Sequence, residues 1–294
     1  MSFDEFIEKV KGDLGDYLLN YNVTNIYIKE VYKNNGIIYN GLVIKTDETG
    51  IAPTIYLEPY YKAYKNGMNM EDIMSNIRDE YAASLKNAKK AEQQIQYISE
   101  YKERVFIKVV NYEKNKEELA SCPYIPFHDL AITFRYMVFK DNSGMSSVLV
   151  TNRLTKEWNI DTRELYNQAY ENTKKIFPPV IKRLDDVLFN GLEEYIGNAV
   201  YSGFYLLSSD CGLNGSVYII YKDFLSDFSK KNECDFYIIP SSVHELILVK
   251  SKAECNPDNL RLLIKDVNEL LVPGVDFLSD NIYYFSISDG LHII

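Results

Sequence analysis

Phe3, Phe6, Ile7, Val10, Leu14 and Leu18 recur at helical spacing, which predicts an amphipathic helix over residues 3–19. The pattern then changes period. In NIYIKEVYKNNGIIYNGLVIKT, two β-rich runs flank Asn35-Gly36, a pair that tolerates positive φ at both turn positions, so a hairpin is expected. IAPTIYLEPYY predicts a third strand running into a helix near Tyr60, with Pro53 favouring an edge or a strand start. Met70, Ile73, Met74, Ile77, Tyr81 and Leu85 then mark one face of a longer helix that continues to about Tyr101.

Beyond it, ERVFIKVVNY reads as a strand and LASCPYIPF as a proline-punctuated loop. DLAITFRYMVF and MSSVLVTN read as two strands around DNSG. Asp161 and Glu164 have capping-box spacing, with Ile160 and Leu165 placed as its staple, so a helix begins there and ends before Pro178-Pro179. In the last third, GFYLLSS and GSVYIIY are expected strands and KDFLSDFSKKN a helix. FYII and VHELILV are expected strands on either side of Pro240-Ser241-Ser242. Asn256 and Pro257 open a further helix, its inner face Leu260, Leu263, Ile264, Val267 and Leu271, before NIYYFSIS and LHII.

This order predicts an α+β fold with mostly antiparallel sheets, packed helices and a C-terminal ββαββαβ module. No run of βαβ units with Gly-rich turns appears, which argues against a doubly wound nucleotide fold. Three segments are expected: an N-terminal α+β module over 1–100, middle strands with the capped helix over 101–180, and an acidic α+β module over 181–294.

Charge sharpens the last boundary. The chain of 294 residues carries −10, and residues 181–294 hold 9 Lys and Arg against 17 Asp and Glu, so −8 of it lies there. An acidic segment repels phosphate, so nucleic-acid binding is disfavoured. A decoy that imitates nucleic acid ranks last, because the carboxylates are dispersed among apolar positions. Tyrosine is abundant, with 25 copies against one Trp, and suits half-buried strands and contact surfaces. No segment is apolar enough to cross a bilayer and no signal-peptide pattern opens the chain, so a cytoplasmic protein is expected. The four scattered cysteines form no C-x-x-C pair, and the three histidines form no zinc motif, so no metal and no cofactor is expected.

Two constellations contain residue types that do chemistry. Ser242, His244 and Glu245 bring a hydroxyl, an imidazole and a carboxylate into four residues, but without a G-x-S-x-G elbow. If VHELILV is a strand covered on both faces, His244 is instead a buried residue held by a hydrogen bond near the strand start. Cys122 and His128, followed by Asp129, could supply a thiolate and its base, at a spacing that matches no signature.

The segments KNNGIIYNGLVIK, PTIYLEPYY, DLAITFRY, ELYNQAYENT, DFYIIPSSVHELILV, IKDVNELLV and FLSDNIYYF together resemble domain-of-unknown-function family 5688 of gut Firmicutes, over residues 30–285. The stretch GFYLLSSDCGLNGS departs from that likeness. The resemblance implies no activity and no catalytic residues. The expected function is that of a non-enzymatic accessory protein that binds another protein. The alternative is a hydrolase-like enzyme using Ser242, His244 and Glu245, or Cys122 and His128. No oligomeric state follows from the residues.

Overall fold

A computed structural model describes residues 1–47, 50–95, 101–141, 144–184, 186, 203–252 and 257–294. Its contacts divide the chain into two units. Unit 1 comprises Met1–Tyr101 with Met137–Ser147, and unit 2 comprises Lys102–Tyr136 with Val148–Ile294.

Unit 1 opens with α1 (Phe3–Tyr17), capped by reciprocal bonds between Ser2 and Glu5. β1 (Val23–Tyr32), β2 (Ile38–Thr46) and β3 (Thr54–Tyr56) follow as an antiparallel sheet in the order β1-β2-β3, so the strand after Pro53 is an edge. Asn35 and Gly36 both take positive φ in the β1–β2 turn, and Lys33 N–H donates to Ile37 O to close it. α2 (Leu57–Lys65) and α3 (Met70–Ile95) follow. One face of the sheet, with Leu42, Ile44 and Ile55, packs against Phe6, Val10, Leu14, Ile73, Ile77 and Tyr81 of the helices.

Unit 2 holds two sheets. In the first, β6 (Leu130–Asp141) lies between β4 (Val105–Asn111) and β5 (Tyr124–Phe127), and β7 (Gly144–Leu149) also pairs with β6; the β6 and β7 residues within Met137–Ser147 fall in unit 1. β5 replaces the expected loop at LASCPYIPF. Its Pro126 is tolerated because β5 is a short strand that pairs with β6 over only four positions. A short helix, α4 (Lys116–Leu119), precedes it, and α5 (Asn152–Trp158) and α6 (Thr162–Ile176) follow β7. Asp161 caps α6 by accepting from Glu164 N–H at 2.7 Å.

The second sheet is antiparallel throughout and has the order β13-β12-β10-β11-β9-β8. Its strands are β8 (Pro179–Arg183), β9 (Phe204–Ser209), β10 (Phe236–Ile239), β11 (Leu246–Lys250), β12 (Tyr283–Ser286) and β13 (Gly290–Ile293). Helices α7 (Lys222–Asn232) and α8 (Pro257–Leu271) interrupt them after β9 and β11, which gives the order ββαββαββ among the described residues.

GSVYIIY is not a strand: Gly215–Ile220 forms a 3-10 helix. Both sides of β9 are occupied, by β8 and β11, so no sheet edge remains for it. Asn214 turns the chain in left-handed geometry, and a side chain at Gly215 would sit 2.4 Å from Ser208 Cα and 2.6 Å from the His244 carbonyl oxygen. The hydroxyls of Tyr218 and Tyr221 then reach Phe177 O at 2.9 Å and Tyr170 O at 2.8 Å. The place of the missing strand is taken by β8, which begins at Pro179 on the sheet edge, where a missing N–H costs no ladder bond.

Two further expectations are corrected. VHELILV is strand only from Leu246, so His244 precedes β11 and alternation does not govern it. In α8, Leu260 and Ile264 face inward as expected, but Leu271 is 75% exposed at the helix end. Asn256, the expected cap of this helix, lies outside the described residues, as do the side chains of Leu263 and Val267.

Candidate functional site

The two faces of the β1–β3 sheet differ in chemistry. Side chains alternate along a strand, so the register fixes what each face presents. Ile26 and Ile28 of β1 oppose Ile44 and Leu42 of β2, and Leu42 opposes Ile55 of β3; this is the helix-covered face. The other face carries Tyr27, Lys29 and Val31 from β1, Tyr39, Gly41, Val43 and Lys45 from β2, and Thr54 and Tyr56 from β3. Lys33 continues the outward parity just past β1.

Rings and cations on this outer face are interleaved. Lys33 Nζ stands 3.9 Å from the centre of the Tyr56 ring and donates to its hydroxyl. Lys45 Nζ stands 5.5 Å from the centre of the Tyr27 ring, and the Tyr39 and Tyr56 rings are 5.5 Å apart. Lys29 and Lys45 are exposed and the three tyrosines are half-buried. At the middle, Gly41 makes room for its neighbours: a methyl group there would come within 2.5 Å of Thr54 Cγ2 and 2.9 Å of Val31 Cγ2, which close over it. No outward position of the three strands holds Asp or Glu. Glu30 has the inward parity, and the Glu58 carboxylate accepts from Asn40 N–H at 2.6 Å and from its side-chain amide at 3.1 Å. Reading IYIKEVYK and YNGLVIK in hairpin register would have found the β1 and β2 part of this face, because its residues there all sit at odd positions.

The residues around His244 form a different arrangement. Nδ1 of His244 accepts from Asn214 N–H at 3.3 Å, and Nε2 lies 3.2 Å from Asp276 Oδ1. With Nδ1 accepting, the ring proton belongs on Nε2, facing the carboxylate, so both nitrogens are engaged. Ser242 Oγ accepts from the backbone N–H of His244 at 3.1 Å and makes no bond to the imidazole. Burial raises the Glu245 carboxyl above its ordinary range, an effect that the neighbouring His244 reduces. The imidazole side chain is 36% exposed, more open than a strand interior would make it. Around it, Ser208 Oγ and Gly215 N–H donate to His244 O, and Ser216 Oγ donates to Val243 O. The whole group ties β9, the 3-10 turn and the 240–246 segment together.

Cys122 and His128 are separate. Cys122 is 3% exposed, packs with Val110, Leu119 and Ala131, and its thiol is pushed up to about 11 by burial. A thiol so placed is a poor source of thiolate. His128 is exposed, has φ +55°, and lies edge-on to Phe127 and Tyr283. No hydrogen bond joins the two. Asp129 does have partners: Oδ2 accepts from Ser279 Oγ at 2.6 Å and Asn281 Nδ2 at 2.9 Å, and Oδ1 accepts from the Tyr283 hydroxyl. That carboxylate links the start of β6 to the segment entering β12.

A hollow of about 640 Å³ lies beside β8, β9 and α7. Its lining mixes Tyr205, Phe224 and Phe228 with Arg183, Lys231 and Asp227, and among the described residues it contains no His, Cys or Ser. Among the described residues, no three His, Cys, Asp or Glu side chains are grouped to hold a metal ion. No described helix is long and apolar enough to cross a membrane.

No curated protein and no solved structure matches this chain. The model of a family of unknown function, DUF5688, matches residues 3–287, nearly the whole of the sequence that carries both the tyrosine–lysine face and the His244 group, and the chain belongs to that family.

Proposed function

We propose that this chain is a non-enzymatic accessory protein, and that it binds its partner through the outer face of the β1–β3 sheet. The observation that carries the reading is the concentration of Tyr27, Tyr39, Tyr56 and three lysines on one accessible sheet face, with no carboxylate among its outward positions. Aromatic rings offer large contact area at little conformational cost, which is why they are enriched where proteins bind. The hydrolase reading has less support. A serine nucleophile needs a base with a free nitrogen directed at it, and His244 has both nitrogens committed elsewhere. Another protein is the partner expected from the tyrosine content; the chemistry of the face bears on that choice below.

The test is capture from bacterial lysate by the wild-type chain and by a variant carrying Tyr27→Ala with Lys29→Glu, analysed for both protein and nucleic acid. Retention of one species by the wild type and its loss in the folded variant supports the reading. Equal retention by both, or turnover of a small molecule by the pure chain, overturns it.

A further inference from the structure

We infer that the outer face of the β1–β3 sheet is a platform for single-stranded nucleic acid. This rests on the reading that the face is a binding surface, and it assigns the chemistry of the partner.

A single strand repeats one flat base and one phosphate. The face repeats one ring and one cation: Tyr56 with Lys33, and Tyr27 with Lys45. Lys29 lies between them, at the position opposite Gly41, and Gly41 opposes Tyr56. Bases stack on tyrosine rings whatever their identity, and the lysines that lie over the Tyr56 and Tyr27 rings turn from the rings to the phosphates as the bases take their place. At Gly41 the Thr54 and Val31 side chains close over the backbone, so the rings and lysines stand around a small apolar centre. A protein partner fits less well. Protein interfaces favour aromatic residues and arginine at their core and deplete lysine, whereas every cation here is lysine.

Most of the chain's negative charge lies in residues 181–294, and the expectation that nucleic acid is disfavoured rested on that segment. Within the strands β1, β2 and β3 the only carboxylate is Glu30, which has the inward parity; Asp47 and Glu48 follow the end of β2. A phosphate that reaches the face meets Lys29, Lys33 and Lys45 and no outward carboxylate of the strands.

The experiment is fluorescence anisotropy with a labelled oligothymidylate of about 12 nucleotides, a matching duplex, and an oligoglutamate peptide as probes. The single strand is expected to bind, and the duplex about ten-fold more weakly because its bases are already stacked. Between about 50 and 200 mM salt, log affinity should fall with a slope near −2, as three lysine–phosphate contacts require. Lys29→Ala with Lys45→Ala should flatten that slope by about 1.4, and Tyr27→Ala should weaken binding about 5- to 100-fold with the slope kept. Circular dichroism melting confirms that each variant is folded, and Tyr27→Phe, which keeps the ring, should restore binding.

No binding of the strand by up to about 0.1 mM protein at low salt overturns the assignment. So does binding that neither variant changes. If the oligoglutamate binds more tightly than the strand, or the lysate yields a nuclease-resistant protein that the face variant loses, the face remains a binding surface and the nucleic-acid assignment fails. If no species from the lysate depends on the face, the binding reading itself fails.

Discussion

The backbone N–H of Asn214 donates to Nδ1 of His244, 30 residues away, at 3.3 Å. The same asparagine sends its side-chain amide to Ile107 O at 2.8 Å, so one residue joins the histidine to the edge of β4. The imidazole is thus a structural acceptor, and His244→Ala leaves the Asn214 N–H without its partner. A loss of about 1–3 kcal/mol is expected, measured by urea denaturation. Unchanged stability together with loss of a biological activity would make the histidine functional.

Glu245 gives a pH-dependent test. Its carboxyl is raised above 4.5 by burial, so folding favours the protonated form. The associated stability is fully present below the unfolded value and is lost as pH rises towards the folded one. Glu245→Gln should therefore raise Tm at about pH 7, and the gain should vanish below about pH 4. A gain that persists in acid would show that charge burial is not its cause.

The thiols should differ in reactivity. Cys122 is buried with its thiol pushed up to about 11, whereas Cys211 is exposed next to Ser209. Under iodoacetamide at mildly alkaline pH, peptide mapping should find Cys211 alkylated in the native protein and Cys122 only after unfolding. Rapid labelling of native Cys122 would reopen the thiolate reading of this residue with His128.

Asp129 accepts from Ser279, Asn281 and Tyr283, two of which are buried. Asp129→Ala should cost about 2–4 kcal/mol, because buried donors lose a charged acceptor. Tyr283→Phe, which removes one donor and keeps the ring, should cost less, about 1–2 kcal/mol. Equal losses in the two variants would mean that the ring packing, and not the carboxylate, holds this junction.

Local chemistry was legible in the residues. Asn35-Gly36 announced the β1–β2 hairpin and Asp161 the start of α6. Residues 215–220 were not, because an apolar run without alternation suits a strand or a buried turn equally. What decided between them was the occupation of both sides of β9, a fact about strands at 179–183 and 246–250. The tyrosine–lysine face was visible only once the two strands were placed in register, since no single stretch of it is unusual. The Asp129 partners lie 150 or more residues away, and no local pattern marks them.

β4 pairs with β6 on one side, and side chains close its other side. Asn172 Nδ2 donates to Val105 O at 2.9 Å, Thr173 Oγ1 accepts from Ile107 N–H at 2.9 Å, and Asn214 Nδ2 takes Ile107 O. On a ribosome these three residues are made after β4 and β6. For that interval the open side of β4 shows an unguarded row of backbone donors and acceptors to every neighbouring chain. Crowded synthesis is then the moment of greatest hazard, which α6 reduces and Asn214 ends. Inclusion bodies seeded from VFIKVVN are expected when many chains are made at once, and fewer when expression is low enough for each chain to acquire its guards before it meets another.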